Sequence, residues 1–421
     1  MRVRWLLLWG ITVANAWAQS DPAIPSRTLD ALIGEVLAHN PELKGMEADV
    51  GAAKGARQTA GQWKNPDLSI MYANRELASA GSRSAGFSDS IGITQTFEFP
   101  GKATLRKAIA DQDITTAEVG LVQFRQALIG RVTVLGYRYA YAEDNRQAAD
   151  LTANRARALI GLLDKRPKAG LQAMFDSGAL SGNLAELLTT ERQLDQEALS
   201  VLAEINILRG WPPASPLHIT LPISQPELPS DFNAFLVKSL GNSPVLQLKK
   251  IDLQRNKNRL SASKLDVAPD FAIQPYYSLD KADDHDQKIG ASLTVTLPIW
   301  NQNQGNIAAA KANLAKAEVT EQQARDDLQL SLTRVYQTQQ LISRQLNDIG
   351  PGTLEKLGLL AELADRHYRL GAINLQTFLE AQRQYLATSQ SFHQALLDEV
   401  TANCDLKLLS GTMDSNTGAS R

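Results

Sequence analysis

Apolar and polar residues alternate with period two in two pairs of neighbouring segments. The first pair is Asp67–Asn74 and Ser88–Phe99, and the second pair includes residues 289–297. This alternation predicts β-strands with one apolar face. The polar stretches Arg75–Phe87 and Leu279–Asp286 are predicted to be the exposed loops of the two pairs. The apolar faces carry Ile91, Ile93, Phe97 and Phe99 in the first pair and Ile289, Ala291, Leu293, Val295 and Leu297 in the second.

Strands of this kind fit two environments equally well. One is a half-buried sheet in a soluble protein, and the other is a membrane barrel with lipid outside and water inside. Four strands cannot close a barrel, and open sheet edges are not tolerated in lipid, so the membrane alternative requires several copies of the chain. In that alternative the lipid-facing residues are Ile91, Ile93, Phe97, Phe99, Leu293, Val295 and Leu297.

Helical periodicity covers much of the remaining chain. Residues 28–63 are predicted to form a helix that begins at the N-cap Thr28 and ends before Asn65-Pro66. Residues 304–370 would span roughly 100 Å as one helix. Gly350-Pro351-Gly352 interrupts this stretch, as Pro167 interrupts the equivalent stretch 102–177, so we expect a kink at each point. Such long polar helices need parallel neighbours with coiled-coil-like packing.

The chain contains an internal repeat. Ordered matches recur at an offset near 200 residues, and each half closes on Leu-x-Gly, at Leu208–Gly210 and Leu409–Gly411. These matches predict two copies of a helix–strand–strand–helix unit. A stretch with six prolines separates them. The predicted organisation is a signal peptide over 1–18, a first repeat over 19–210, a linker over 211–231, a second repeat over 232–411 and a C-terminal tail over 412–421.

The N-terminus predicts export. Arg2 and Arg4 precede a short apolar run, and Ala16 and Ala18 provide the small residues of a cleavage site after Ala18. The run is too short for a membrane anchor, and no later segment has the length and apolarity of a transmembrane helix. We therefore expect a periplasmic, secreted or outer-membrane barrel protein.

Composition and motifs exclude several function classes. The formal net charge of −2 argues against nucleic-acid binding, and the absence of phosphate-loop, nucleophile-elbow and zinc-protease motifs argues against an enzyme. Cys404 is predicted to be a small core residue. Neither a metal site nor a cofactor is predicted. The acidic cluster is interpreted as a solvated loop, and it comprises Asp280, Asp283, Asp284, His285 and Asp286. The histidines outside this cluster are scattered singly along the chain.

Several motifs follow one another in a defined order along the chain: Asn40-Pro41-Glu42-Leu43, Asn65-Pro66-Asp67-Leu68, Gln95-Thr96-Phe97-Glu98-Phe99-Pro100-Gly101-Lys102, Pro298-Ile299-Trp300-Asn301-Gln302-Asn303-Gln304-Gly305, Tyr368-Arg369-Leu370-Gly371 and Leu379-Glu380-Ala381-Gln382-Arg383. In their order and spacing these motifs resemble the TolC-type outer-membrane efflux family across nearly the whole mature chain. Within that family the resemblance is to the CzcC/CusC-like heavy-metal efflux branch.

The resemblance implies a mainly α fold with a β-barrel part. Each protomer of a homotrimer would give four strands to a twelve-stranded barrel, which long helices continue as a periplasmic tunnel. The implied partners are outer-membrane lipid, a periplasmic adaptor (membrane fusion) protein and an inner-membrane RND pump. The implied function is passive exit of heavy-metal cations. The alternatives are organic drugs or type I secreted polypeptides as cargo and, in a different class, a non-conducting periplasmic coiled-coil scaffold.

The resemblance also implies two sets of functional residues. A tight turn at the periplasmic tip would need glycine at Gly178 and Gly371. Thr377 and Glu380 occupy positions where some family members place two aspartates that ring the tunnel mouth; the alternative for Glu380 is a solvated residue paired with Arg383. The predicted adaptor-docking residues are Gly178, Ala179, Tyr368, Arg369, Leu370, Gly371 and Ala372.

Overall fold

A computed structural model describes residues 26–79, 82–163, 170–222, 228–281 and 286–413. The predicted signal peptide, Pro167, Asp283, Asp284, His285 and residues 414–421 lie outside these ranges. The elements in the first half are β1 (Ser26–Thr28), α1 (Leu29–His39), α2 (Pro41–Ala60), β2 (Asp67–Ser79), β3 (Ser82–Phe97), α3 (Lys102–Leu163) and α4 (Gly170–Leu208). Those in the second half are β4 (His218–Thr220), α5 (Phe232–Asn242), α6 (Pro244–Leu265), β5 (Phe271–Asp280), β6 (Asp286–Val295), α7 (Gln304–Ile349), α8 (Pro351–Arg369) and α9 (Leu375–Ser410).

The predicted repeat is present, because each half runs from helices through two strands to long helices. The four strands form one antiparallel sheet in the order β2-β3-β5-β6, so the two repeats meet at the β3–β5 pair. The register there aligns Phe97 with Phe271 and Ile91 with Tyr277. Strands β1 and β4 form a separate parallel pair beside α1.

The prediction of one helix over 28–63 is wrong, because the chain breaks at Asn40. This residue has an extended conformation (φ −60°, ψ 123°), and Pro41 begins the next helix. The Asn40 side-chain oxygen accepts a hydrogen bond from the Leu43 amide at 2.9 Å, while its amide group donates to the Leu208 carbonyl at 3.2 Å. Proline tolerates the first turn of a helix but disfavours helical geometry in the residue before it. Ser243 and Pro244 make the same break in the second repeat.

The strands also extend further than predicted. Strand pairing between β2 and β3 continues from Asn74–Phe87 to Ser79–Ser82, so most of the predicted loop Arg75–Phe87 is sheet. Leu279 and Asp280 likewise belong to β5, and Asp286 begins β6. In contrast, Phe99 and Leu297 lie just beyond the ends of their strands.

Long helices make up most of the described chain outside the sheet. Helix α3 has 62 residues, which corresponds to about 90 Å. The predicted interruption at Gly350 is confirmed: α7 ends at Ile349, Gly350 has φ of +69° and α8 begins at Pro351. Among the described residues, none of the helices combines the length and apolarity required to cross a bilayer.

The described core is a series of small clusters along the helix contacts. The largest lies where α1 packs on α3, α4 and α9, around Leu32, Val132 and Ile205. Cys404 belongs to it, as predicted, and burial raises the pKa of its thiol to about 11. Another cluster lies near the α8–α9 turn around Leu180 and Phe378. Clusters of this kind are expected when helices pack along their length.

Candidate functional site: the two-faced sheet and the α8–α9 turn

One face of the sheet is apolar and exposed. Ile91 lies opposite Ile70 on one side and Tyr277 on the other, and Ile273 lies opposite Leu293. Large side chains on this face are uncovered in the described chain: Ile70 is 73% exposed, Ile289 88% and Leu293 66%. The predicted residues Ile91, Ile93 and Val295 share this exposed face. Phe97 is partly buried between other rings, whereas Phe99 and Leu297 are exposed beyond the strand ends.

The opposite face carries polar and small residues. The Gln274 amide donates to Ser69 Oγ at 3.1 Å, and Ser69 Oγ donates to the Gly92 carbonyl at 3.2 Å. Ser292 Oγ lies 3.5 Å from Gln274 Oε1, so the polar contacts run across all four strands of the sheet. A Cβ at Gly92 would lie 2.9 Å from Gln274 Nε2. The sheet therefore has one face suited to lipid or core and one suited to water.

The turn between α8 and α9 is tight. Gly371 has φ of +75°, its amide donates to the Tyr368 carbonyl at 3.0 Å, and the Ala372 amide donates to the His367 carbonyl at 2.9 Å. These two bonds make a Schellman motif, in which glycine is favoured. The turn predicted at Gly371 is therefore confirmed.

The predicted tip residues differ in accessibility. Leu370 is 74% exposed and Ala372 is exposed. Arg369 forms an ion pair with Asp365 at 3.0 Å. The ring of Tyr368, however, stacks on Phe378 at 5.5 Å, so much of this side chain packs against α9.

The turn predicted at Gly178 is wrong. Gly178 lies inside α4, and the described glycines with positive φ do not include it. Helical geometry persists because Leu180, two residues later, is fully buried in the cluster that contains Phe378. That burial outweighs the roughly 1 kcal/mol that glycine costs relative to alanine inside a helix. Gly178 and Ala179 are exposed on α4 near the level of the α8–α9 turn.

The two predicted gate residues lie on the exposed side of α9. Asn374 caps the start of the helix: its Oδ1 accepts hydrogen bonds from the Thr377 hydroxyl at 2.9 Å and from the Thr377 amide at 2.8 Å. Glu380 is exposed one turn later. Its carboxylate accepts from Gln384 at 3.0 Å and not from Arg383, the partner that the alternative interpretation expects.

A family model described as outer membrane efflux protein matches residues 32–204 and 237–412. The chain belongs to this family. Its members are channels, which agrees with the prediction that this chain is not an enzyme.

The relatives agree with this assignment. The cobalt-zinc-cadmium resistance protein CzcC of Cupriavidus metallidurans is 22% identical over 322 residues, which cover 72% of this chain and 73% of CzcC. The crystal structure of CusC has a TM-score of 0.74 at 15% identity and covers 92% of both chains. The outer membrane channel CmeC of Campylobacter jejuni has a TM-score of 0.75 at 16% identity, covering 91% of this chain and 85% of CmeC. These structures share the fold with this efflux-family chain.

One residue of the efflux-family motif Leu379–Arg383 has a role that the sequence did not reveal. Gln382 is 2% exposed, donates to the Ala361 carbonyl at 2.7 Å and accepts from Arg155 at 3.2 Å. It therefore joins α9 to α8 and α3. The motif Leu379–Arg383 includes Gln382, but the hydrogen-bond partners of the Gln382 side chain lie 21 and 227 residues away in the sequence.

A second group missed by the sequence lies between α3 and α9. The His393 ring stacks on Tyr141 at 5.0 Å, and its Nδ1 lies 2.7 Å from Asn145 Oδ1, which also accepts from Ser389. Burial lowers the pKa of His393, and nearby Asp144 partly opposes that shift. In the sequence, His393 is one of the scattered histidines that predict no site.

Within the described ranges, no three histidine, cysteine or acidic side chains are arranged to hold a metal ion. Asp280 and Asp286 are paired across β5 and β6, and Asp286 forms an ion pair with Lys288 at 3.4 Å.

Proposed function

We propose that three copies of this chain form an exit duct through the outer membrane. The observation that carries the proposal is the four-stranded sheet with one exposed apolar face and one polar face. Strands β2 and β6 have open edges in the single chain, and open edges are not tolerated in lipid. Joining β6 of one copy to β2 of the next removes all the edges and gives twelve strands. The apolar face then contacts lipid and the polar face lines the lumen.

The long helices continue this duct into the periplasm. They start at the end of the sheet where β3 and β6 finish, because α3 follows β3 and α7 follows β6. Helix α3 alone corresponds to about 90 Å. Its clusters contact α4 and α9 along this length, which supports a tunnel wall and not a separate domain. Export of the chain would involve removal of residues 1–18.

The far end of the tunnel is the proposed docking site for a periplasmic adaptor, which connects the duct to an inner-membrane RND pump. Exposed Leu370, Gly371 and Ala372 protrude at the α8–α9 turn, with Gly178 and Ala179 exposed on neighbouring α4. An apolar side chain at an exposed turn is a suitable anchor for a partner helix. Tyr368 and Arg369 support the turn from α8.

The proposed cargo is heavy-metal cations. The likeness to CzcC, a cobalt-zinc-cadmium resistance protein, supports this assignment. Three Glu380 carboxylates near the tunnel axis would attract cations and narrow the mouth by mutual repulsion. Thr377 lies one turn away and would hold the start of α9 in place through Asn374.

A deletion strain tests the cargo. Loss of the gene should lower tolerance to cobalt, zinc or cadmium salts and leave tolerance to organic antimicrobials unchanged, and the wild-type gene should restore metal tolerance. Lower tolerance to organic compounds alone, or accumulation of an unsecreted polypeptide, would assign the alternative cargo. The Glu380→Ala gene should restore metal tolerance less well than a matched Glu355→Ala gene, whose altered carboxylate is exposed on α8.

A further inference from the structure

Two helices at opposite edges of the helical layer carry exposed apolar side chains. Helix α4 contacts α3, α3 contacts α9, and α9 contacts α7, so α4 and α7 are the outer helices of this layer in the described chain. On α4, Leu199 is 66% exposed and Ile207 is 59% exposed, while on α7 Leu330 is 56% exposed and Leu341 is 65% exposed. Single apolar residues on a surface are common, so these four indicate a contact only if their positions are related.

The exposed residues lie on faces of α4 and α7 that point away from the rest of the described chain. On α7, Leu330 is two residues and Leu341 nine residues from Leu332, which is fully buried. Each residue advances about 100° around a helix, so both lie on the opposite side from Leu332. On α4, Leu199 is two residues from buried Val201 and lies opposite to it for the same reason. Each outer helix therefore has an apolar face directed outwards along the edge of the layer.

The height of Leu199 along the layer follows from the contacts of α3. Leu199 is two residues from Glu197, which pairs with Arg138 of α3 at 2.8 Å. Three residues further along α3, Tyr141 stacks on His393 of α9 at 5.0 Å. Because α9 runs antiparallel to α3, Leu199 lies at the height of a point on α9 about three residues after His393.

Leu341 of α7 lies close to this same height. Its neighbour Ile342 lines one groove with Asp398 of α9, and Asp398 is five residues after His393. Leu199 and Leu341 therefore face outwards at opposite edges of the layer, at about the same distance from the sheet.

The charges near these two leucines are complementary. Seven residues from Leu199, in the direction away from the sheet, α4 carries exposed Arg192. Seven residues from Leu341 in the same direction, α7 carries exposed Asp348. Seven residues are close to two helical turns, so each charge lies on the same side of its helix as the leucine. A second copy beside α7 would bring leucine against leucine and guanidinium against carboxylate.

We propose that α7 of one copy packs antiparallel against α4 of the next copy, with Leu341 against Leu199 and Asp348 beside Arg192. The inference rests on the proposed trimeric duct and specifies the helical surface through which the copies join. Because α7 follows β6, whose edge is open, this contact continues the proposed joint between β6 and β2 beyond the sheet. Two different surfaces meet at each junction, and contacts of this kind can close into a ring.

Crosslinking through cysteines tests the contact. Leu199→Cys and Leu341→Cys are combined in one chain, and the full-length mature protein in the outer-membrane fraction is treated with a short bismaleimide. The two thiols of one chain are out of reach of each other, since three helix spacings of about 8–10 Å separate α4 from α7. The combined variant should therefore give crosslinked dimers and trimers on denaturing gels. The parent chain, whose one cysteine is the buried Cys404, gives the background.

A matched control combines Leu199→Cys with Val319→Cys. Val319 is 57% exposed on α7, but it lies 22 residues nearer the sheet than Leu341, which corresponds to about 33 Å. This combination should give only the background of the parent chain. Arg192→Cys combined with Asp348→Cys, one heptad from the leucines, should again give dimers and trimers.

Conductance of the same preparations is measured in planar bilayers. If the protein conducts but Leu199→Cys with Leu341→Cys gives no more crosslinked product than the Val319→Cys control, the helix packing is wrong and the duct stands. Crosslinked trimers that do not conduct would support the packing and contradict the duct. A protein that neither crosslinks nor conducts would contradict both.

Discussion

The ring of Tyr276 lies over Gly290 on the polar face of the sheet. The two residues are register partners on β5 and β6, and a Cβ built at Gly290 would lie 2.7 Å from the ring carbon Cζ and from Oη. No side chain fits there while the ring keeps its position. Glycine at this point therefore lets the tyrosine lie flat against the sheet. In the proposed trimer, three such rings would lie along the wall and leave the lumen clear.

Substitution of Gly290 tests this relationship. Gly290→Ala should force the Tyr276 ring away from the wall and lower the free energy of unfolding by about 1–3 kcal/mol. Adding Tyr276→Ala should remove most of that penalty, since the clash requires both side chains. Denaturation of the four proteins of this double-mutant cycle in detergent measures the coupling.

The matched control is Gly92→Ala on β3. Its Cβ would approach the end of the Gln274 side chain, 2.9 Å away, which can rotate aside. We expect Gly92→Ala to lower the free energy of unfolding less than Gly290→Ala does. Equal decreases for the two variants, or no coupling between Gly290→Ala and Tyr276→Ala, would contradict the position of the Tyr276 ring over Gly290.

Glu380 is the proposed charge at the tunnel mouth. Because three carboxylates would repel one another and concentrate cations, Glu380→Ala should raise single-channel conductance and lower cation preference in planar bilayers. Glu355→Ala removes an exposed carboxylate from α8 and should alter neither property. Indistinguishable recordings from Glu380→Ala and wild type would leave Glu380 as a solvated side chain.

Gln382 is predicted to stabilise the helix contacts near the turn. Gln382→Ala removes the 2.7 Å hydrogen bond to the Ala361 carbonyl and the 3.2 Å bond from Arg155, so the unfolding free energy should fall by about 1–3 kcal/mol. The neighbouring exposed Gln384 provides the control, with an expected change within about 0.5 kcal/mol for Gln384→Ala. Similar stability of the two variants in urea would show that the buried amide does not hold α8 and α3 to α9.

His393 should make stability depend on pH. Burial lowers its pKa below 6.5 in the folded chain, so the unfolded chain takes up this proton first as the pH falls. The contribution of His393 to the free energy of unfolding is therefore complete above pH 6.5. It is lost as the pH falls from 6.5 towards the lowered pKa of the folded chain. Asp144 and Glu399, whose pKa values burial raises, contribute the opposite slope. Tyr141 stacks on the imidazole, and burial keeps its pKa above the usual value.

The difference between wild type and His393→Gln isolates the histidine. Unfolding free energies between pH 8 and pH 5 should decline more for wild type, while Glu399 affects both proteins equally. His393→Gln also removes the imidazolium that lowers the pKa of Asp144 in wild type, and this change adds to the difference in the same direction. Parallel curves for the two proteins would mean that the imidazole is protonated equally in the folded and unfolded chains.

Patterns among neighbouring residues predict the features of the fold that depend on those neighbouring residues alone. Strand alternation identified the apolar face around Ile91, and the Gly350-Pro351 and Gly371 signals identified two interruptions. The same reasoning failed at Gly178, where sequence similarity to Gly371 suggested a turn but burial of Leu180 keeps the helix intact. It also missed the break at Asn40, because the residues on both sides are helical and only the geometry before Pro41 separates them.

Other features depend on distant contacts. The outer halves of β2 and β3 are paired from Asn74–Phe87 to Ser79–Ser82, although the sequence there resembles a loop. Gln382 and His393 acquire their surroundings from residues on α3, more than 200 positions earlier. In the proposed duct, closure of the barrel depends on further copies of the chain. A single sequence predicts only that closure is required, because its sheet has two open edges beside a face suited to lipid.

Planar-bilayer recording from the purified mature protein, with the oligomer mass measured in the same detergent, tests the duct most directly. We expect a trimer, extracted from the outer-membrane fraction, that gives discrete, cation-preferring conductance steps. A monomer that is recovered from the soluble periplasmic fraction and gives no conductance would contradict the proposed duct and support a coiled-coil scaffold.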